Sequence, residues 1–243
     1  MNKNVKFKIY DKTSPGTTGV YGLDHSSDSV TRQIIQSNYN TIINDMNAEN
    51  LLILNHVHGS RVVDADAIDD FSLEPDADAV VTTKQKIALS VQSADCVPVL
   101  LASDDGKVIG GAHCGWRCAQ DNVLAHVIAM MQTKGATTIK AIIGPAIHQE
   151  SYEVGHGFYT DMLAAESASV HLFKRTALAE KWLFDLPGFI TLKLKILGVT
   201  DILDLCENTF TNPHKYYSYR YEMQRGITGN NNNILSAIMI EQT

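Results

Sequence analysis

Three short segments of the sequence carry side chains that bind metals or act as nucleophiles, each where an apolar run gives way to a turn. The first is Leu54-Asn55-His56-Val57-His58-Gly59-Ser60. In an extended chain residues i and i+2 share a face, which would bring His56 and His58 to one side. Gly59 permits the turn that follows. The second segment, Ser93-Ala94-Asp95-Cys96-Val97-Pro98, lies between two apolar stretches. The third, Gly110-Gly111-Ala112-His113-Cys114-Gly115-Trp116-Arg117, delivers a histidine into a glycine-flanked turn ahead of a helical pattern. His58, Cys96 and His113 make a suitable catalytic zinc set, with a fourth position left for water or substrate. The same residues admit plainer readings: a pair of surface histidines, and a cysteine packed as a small hydrophobe. They also admit metal-free chemistry, with Cys96 as the nucleophile of a hydrolase and His113 as its base. A copper-dependent oxidoreductase acting on phenols needs several His-x-His pairs for a trinuclear cluster, and the sequence has one, His56 and His58.

Other polar residues fall near these segments. Asp95, beside Cys96, suits a general base, an orienter of a histidine, or a turn residue. Arg117 is expected just ahead of a helix, where a guanidinium anchors an anion or pairs with a neighbouring acid. Gly144-Pro145-Ala146 and Tyr152-Glu153-Val154-Gly155 read as a turn and a short polar strand that would line a pocket or simply face solvent. Tyr216-Tyr217-Ser218-Tyr219-Arg220 concentrates aromatics beside an arginine, suited to stacking on a base or to covering a sheet.

The elements that must position these residues follow from periodicity. A helix is expected after Ser27 or Asp28, either a good N-cap, with Val30, Ile34, Ile35, Ile42 and Met46 at helical spacing. Residues 51–57, 61–65, 77–82, 87–92, 97–102 and 107–112 are short and rich in branched side chains, and read as strands. Asp104-Asp105-Gly106 forms a hairpin turn between two of them. A helix from about Asp121 ends at Gly135, and strand 139–143 follows it. Residues 158–168 and 187–197 read as helices, the second with Pro187 in its first turn and Gly198 past its end. Strands 202–205 and 234–240 close the chain, the last preceded by a polar turn at Asn230 to Asn233. Strands in blocks with helices inserted at intervals imply an α+β fold, and the absence of a linker-like stretch implies a single domain over 1–243.

Composition narrows the function. The chain has 243 residues, 44% hydrophobic and 19% charged, enough for a sizeable core. A formal net charge of −7, with basic residues few and scattered, argues against a nucleic-acid partner. No apolar run approaches the roughly 18 residues of a membrane span, and the N-terminus lacks the apolar run of a secretory signal. A cytoplasmic protein with reduced cysteines is expected. Cys96, Cys114, Cys118 and Cys206 contain no C-x-x-C pair.

Together the segments resemble the polyphenol-oxidase or laccase-domain family, better described as multi-substrate purine nucleoside enzymes. The matching pieces are His56-Val57-His58-Gly59, Asp76-Ala77-Asp78-Ala79, Ala94-Asp95-Cys96, Gly111-Ala112-His113-Cys114-Gly115-Trp116-Arg117, Ile143-Gly144-Pro145, Tyr152-Glu153-Val154-Gly155 and Tyr217-Ser218-Tyr219-Arg220. Their joint order is the specific signal. The resemblance implies a mixed β-sheet sandwich with flanking helices and zinc, or else copper, on His58, Cys96 and His113. It further implies phosphorolysis of adenosine, inosine, guanosine or methylthioadenosine, deamination of adenosine, and a nucleoside-and-phosphate site to which Arg117, Tyr219 and Arg220 contribute. The chain departs from the family pattern at four places. His56 stands where glutamine is usual, Cys118 where glycine is usual, and Ala146 where cysteine is common. Tyr10-Asp11-Lys12-Thr13 replaces an N-terminal threonine-arginine-glycine-glycine, whose arginine would contact phosphate.

Overall fold

A computed structural model describes residues 2–22, 28–227 and 232–242. The elements begin with β1 (Val5–Tyr10), α1 (Ser29–Met46), β2 (Asn50–Leu52), β3 (Val62–Asp64) and β4 (Ala79–Thr82). The central segment forms β5 (Ile87–Ser93), β6 (Val97–Ser103), β7 (Ile109–Cys114), α2 (Trp116–Gln120), α3 (Val123–Thr133) and β8 (Ile139–Ile143). Then come β9 (Glu153–Gly155), α4 (His156–Ala165), β10 (Phe173–Arg175), β11 (Lys181–Phe184) and α5 (Leu186–Ile196). Last are β12 (Asp201–Asp204), α6 (Tyr219–Gln224) and β13 (Ile234–Ile240).

Short branched runs make the strands, and alternation along each one decides which apolar layer a side chain enters. In β6, Val97, Val99 and Leu101 join one cluster while Leu100 and Ala102 join another. Every residue of β5, β6, β7 and β13 is buried, because their sheets are covered on both faces. One sheet runs β1-β13-β5-β2, a larger one β12-β8-β6-β7-β4-β3, and a small third one β10-β11-β9. The two larger sheets pack face to face, Leu89, Val91 and Ile238 meeting Val80, Leu100, Ile109 and Ile142. Gly111 of β7 belongs to that packing, since a Cβ there would lie 2.9 Å from Val91 Cγ2. α1 covers the outer face of the four-stranded sheet with Ile35, Tyr39, Ile42 and Met46. α3 and α5 cover the outer face of the six-stranded sheet with Val127, Met131, Phe189 and Leu194. This is an α+β fold, as the sequence pattern predicts, and a mixed β-sheet sandwich with flanking helices, as the resemblance implies.

Several local features differ from expectation. Asp28 caps α1 by accepting from the Val30 and Thr31 amides, while Ser27 lies outside the described residues, as do Asn230 and Asn231. Val30 and Ile34 are exposed, and Asn38 and Tyr39 take part in the buried face instead. The strand expected over 51–57 keeps its ladder only through β2, after which the chain leaves the sheet and Asn55 bridges Asp76. The helix expected from about Asp121 is α3, and an unexpected short helix, α2, precedes it, the two separated by Asn122 in the left-handed conformation (φ 64°). Arg117 therefore sits inside α2, which starts at Trp116. The helix expected over 158–168 ends at Ala165, and a 3-10 turn over Ser167–Leu172 follows. Among the described residues no helix is long and apolar enough to cross a membrane.

Candidate metal centre

The order of strands brings the three chemistry-bearing segments to one end of the six-stranded sheet. β7 lies between β6 and β4, so His113 stands beside both the turn that carries Cys96 and the residue that precedes β4, Asp78. That last residue organises the cluster. Its carboxylate is fully buried and accepts from the His58 amide at 3.1 Å, the Gly59 amide at 2.6 Å and His113 Nδ1–H at 2.8 Å. Its backbone carbonyl accepts from the His113 amide at 2.7 Å. A carboxylate can only accept here, so His113 Nδ1 carries a proton toward Asp78, and Nε2 is the ring nitrogen that would serve a ligand once it is deprotonated.

His58 and His113 meet edge to face with ring centroids 4.8 Å apart. The extended-chain argument that puts His56 and His58 on one face does not describe how they arrive. His58 takes the left-handed conformation (φ 58°), and Asp78 grips the amides of the turn. His56 stacks on His113 at 4.6 Å, with both ring nitrogens committed to the backbone. Its Nδ1–H donates to the Ala77 carbonyl at 3.1 Å, and its Nε2 accepts from the Gln92 amide at 3.2 Å. Burial, and after it the charge of His113, push its pKa down to about 3, so this ring is neutral.

The sulfur donors converge on Gly115. A Cβ on this residue would lie 3.0 Å from Cys96 Sγ, 3.4 Å from His58 Nδ1 and 4.0 Å from Cys118 Sγ. The glycine thus keeps clear the space between the candidate ligands, although its φ of −70° is open to any residue. Ligand atoms of His58, His113 and Cys118 all lie within 4.8 Å of one another. Two imidazoles with thiols are the donor chemistry of zinc and of other borderline or soft ions, so the residues present fit such an ion. Burial opposes charge on His113, but its interactions with Cys96, Asp78 and Cys118 outweigh burial and hold its pKa well above the ordinary range. Asp78 is held below the usual carboxylate range: burial would raise it, and the His113 and Gly59 hydrogen bonds prevail. The second of two buried cysteines, Cys114, has its thiol pushed up by burial and serves the core.

Asp95 is turned away from His113. It takes the left-handed conformation (φ 85°) and accepts from Thr209 Oγ1 at 2.6 Å and from the Arg220 amide at 2.7 Å. Burial raises its pKa against those bonds. It ties the start of α6 to the Cys96 turn. Arg220 donates to the Glu153 carbonyl at 2.8 Å and lies 5.1 Å over the Tyr152 ring, and Arg117 lies 4.7 Å over the Trp116 ring. Burial, then the charge of Cys96, push Tyr152 up to about 12. His58, Cys96, His113, Asp95, Arg117, Tyr152, Tyr219 and Arg220 all line one cleft of about 740 Å³. Lys12, in the segment without the family's arginine, instead donates to the Pro213 carbonyl and lies over Tyr217. Residue-by-residue reasoning on the sequence missed Asp78 as the organising acid. The available signal was its place in Asp76-Ala77-Asp78-Ala79, an acidic pair entering an apolar strand.

Fold and site together define a class: an α+β sandwich with a His/Cys/Asp donor cluster at the end of its larger sheet, opening on a polar cleft. The profile of the family described as multi-copper polyphenol oxidoreductase laccase matches residues 20–241, and the chain belongs to that family. It is 42% identical over 243 residues to a purine nucleoside phosphorylase of Rickettsia prowazekii, across 99% of this chain and 98% of that protein. It is 33% identical over 180 residues to a purine nucleoside phosphorylase of Xylella fastidiosa, across 71% of this chain and 68% of that protein. Among solved structures, protein NMB0706 of Neisseria meningitidis, of family DUF152, aligns with a TM-score of 0.84 at 25% identity over 99% of this chain and 96% of that one. YlmD of Geobacillus stearothermophilus shares the fold, with a TM-score of 0.79 at 19% identity over 99% and 93% of the two chains.

Proposed function

We propose that this chain is a metal-dependent purine nucleoside enzyme in which His58, Cys96 and His113 hold one zinc ion, copper being the other ion such donors accept. The observation that carries this reading is that Cys96 Sγ and His58 Nδ1 stand together beside Gly115, with the His113 ring 4.8 Å from that of His58, at the wall of a cleft that also holds two arginines. The names of the relatives support purine nucleoside and phosphate as substrates.

An ion bound there supplies Lewis acidity and a nucleophile at neutral pH. The residues of the chain do the rest. Asp78 fixes His113 with Nε2 toward the site. Tyr219, 64% exposed at the cleft mouth, offers a ring face to the purine. Arg117 and Arg220 hold phosphate for attack at ribose C1′ while charge builds on the sugar and the bond to the base breaks. Asp95 sets the Arg220 backbone against the Cys96 turn. The same cleft would present C6 of adenine for attack by water, with loss of ammonia, in deamination of adenosine.

The placing of Cys96 Sγ beside His58, with His113 against His58 at the same cleft, favours one other reading, a metal-independent hydrolase with Cys96 as nucleophile and His113 as its base. The donor groups found among the described residues share His113, and His56 has both nitrogens committed. This favours one ion over the copper cluster of a phenol oxidase. Purified protein of known metal content should be given adenosine, inosine, guanosine and methylthioadenosine with and without phosphate. Free base with ribose 1-phosphate marks phosphorolysis, and inosine from adenosine marks deamination. Full activity after chelation, with Cys96 trapped by an electrophile, would replace this reading by the hydrolase.

A further inference from the structure

Cys118 does nothing in the chemistry described so far, yet its sulfur is in the donor cluster. It is the third residue of α2 and fully buried. Its Sγ lies 3.9 Å from Asp78 Oδ1 and 3.9 Å from His113 Nδ1, the ring nitrogen paired with Asp78, so it meets the cluster on the Asp78 side of that ring. Its ligand atom is within 4.8 Å of those of His58 and His113. It is also 4.0 Å from the point beside Gly115 on which Cys96 Sγ and His58 Nδ1 converge. Cys114 is equally buried and shares the same apolar layer, but only Cys118 groups with His58 and His113 as a donor.

We propose that Cys118 is a second thiolate donor to the ion held by His58, Cys96 and His113, making the resting centre a His₂Cys₂ set. The inference rests on the metal reading given above and adds to it. On binding, the Cys118 S–H bond breaks, the proton leaves to solvent and the sulfur pair is donated to the ion, with no change of oxidation state. Four protein donors complete the tetrahedral complement of a zinc site. With an ion bound, Cys118 would take the position that a catalytic zinc otherwise leaves to water or substrate. Removing Cys118 therefore weakens ion binding and opens that position.

Cobalt(II) is the probe, because its thiolate charge-transfer absorption in the near ultraviolet scales with the number of sulfur ligands. Metal-free full-length protein and the variants C118A, C118S, C96A and C96A/C118A are titrated with cobalt, and folding is followed by circular dichroism. C118S keeps the side-chain volume and is read in the same way where C118A does not fold. The expected result is a band in C118A and in C96A of about half the wild-type intensity each, and none in the double variant. Zinc competition against a chromophoric chelator should show C118A binding roughly 10-fold or more weakly at unchanged stoichiometry. A C118A spectrum and zinc affinity equal to wild type, with the band lost in C96A, would overturn the role of Cys118 and leave the three-donor centre standing. No thiolate band in any protein, wild type included, would overturn both.

Discussion

The Asp78 carboxylate lies 2.8 Å from His113 Nδ1 and also accepts the amides of His58 and Gly59. One buried acid therefore orients one candidate ligand and fixes the backbone of another. Asp78→Ala leaves three N–H groups without their acceptor, the buried His113 Nδ1–H and the half-buried amides of His58 and Gly59. The variant should lose roughly 3–5 kcal/mol of stability in urea unfolding. Where it remains folded, its zinc affinity should fall roughly 10- to 100-fold. Wild-type affinity in chelator competition would show that the Asp78–His113 contact does not set the centre.

His56 holds its place through one donor and one acceptor, the Ala77 carbonyl and the Gln92 amide. A glutamine amide offers the same pair, which gives a physical reason for glutamine and histidine to exchange here. His56→Gln should change stability by less than about 1 kcal/mol and keep metal stoichiometry, whereas His56→Ala should cost about 1–3 kcal/mol. Loss of metal in His56→Gln with the fold intact would mean that the imidazole is itself a ligand.

These contacts show how much of the site could be read in advance. That His58, Cys96 and His113 line one cleft is foreshadowed because ligand-type residues end apolar runs and are followed by glycine or a turn. The part played by Asp78 is not, because an acid ahead of a strand reads as a turn residue until the His58 turn is folded against it. β1 escaped notice because Val5, Phe7 and Ile9 alternate with lysines, whose charges signal a polar terminus. β13 was plain because both of its faces are covered and every residue is apolar or small. The boundary of α2 was obscured by Gly115 and Cys118, neither of which is a strong helix former.

Acid stability has a separate origin, away from the cleft. Asp66 accepts from Thr82 Oγ1 at 2.5 Å, Thr83 Oγ1 at 2.7 Å and Lys134 Nζ at 2.8 Å. Burial alone would raise its pKa, but the Lys134 ammonium and the threonine donors outweigh burial and hold it well below the carboxylate range. The unfolded chain then binds the proton more readily, so the stabilisation is complete above the unfolded value near pH 3.9 and is lost as pH falls toward the folded one. Asp66→Asn should lower stability at neutral pH and flatten the decline below about pH 4. An unchanged acid limb in urea titrations would remove Asp66 from this role.

Arg117 and Arg220 reach the cleft from different elements. A charge-assisted bond to phosphate is worth about 1.5–3 kcal/mol. Arg117→Ala should accordingly raise the KM for phosphate roughly 10- to 100-fold and alter that for the nucleoside much less. Equal effects on both substrates would show that Arg117 shapes the cleft rather than holding the anion.

The central claim is that turnover of a purine nucleoside depends on an ion held by His58, Cys96 and His113. The direct measurement is metal content and release of base from adenosine or inosine with phosphate, on the same samples of wild type, Cys96→Ala and His113→Ala. The account predicts base release in proportion to bound zinc in all three, with both variants folded, holding less zinc than the wild type and correspondingly slower. Folded, zinc-loaded wild type that consumes no nucleoside, or full turnover by metal-free Cys96→Ala, would contradict it.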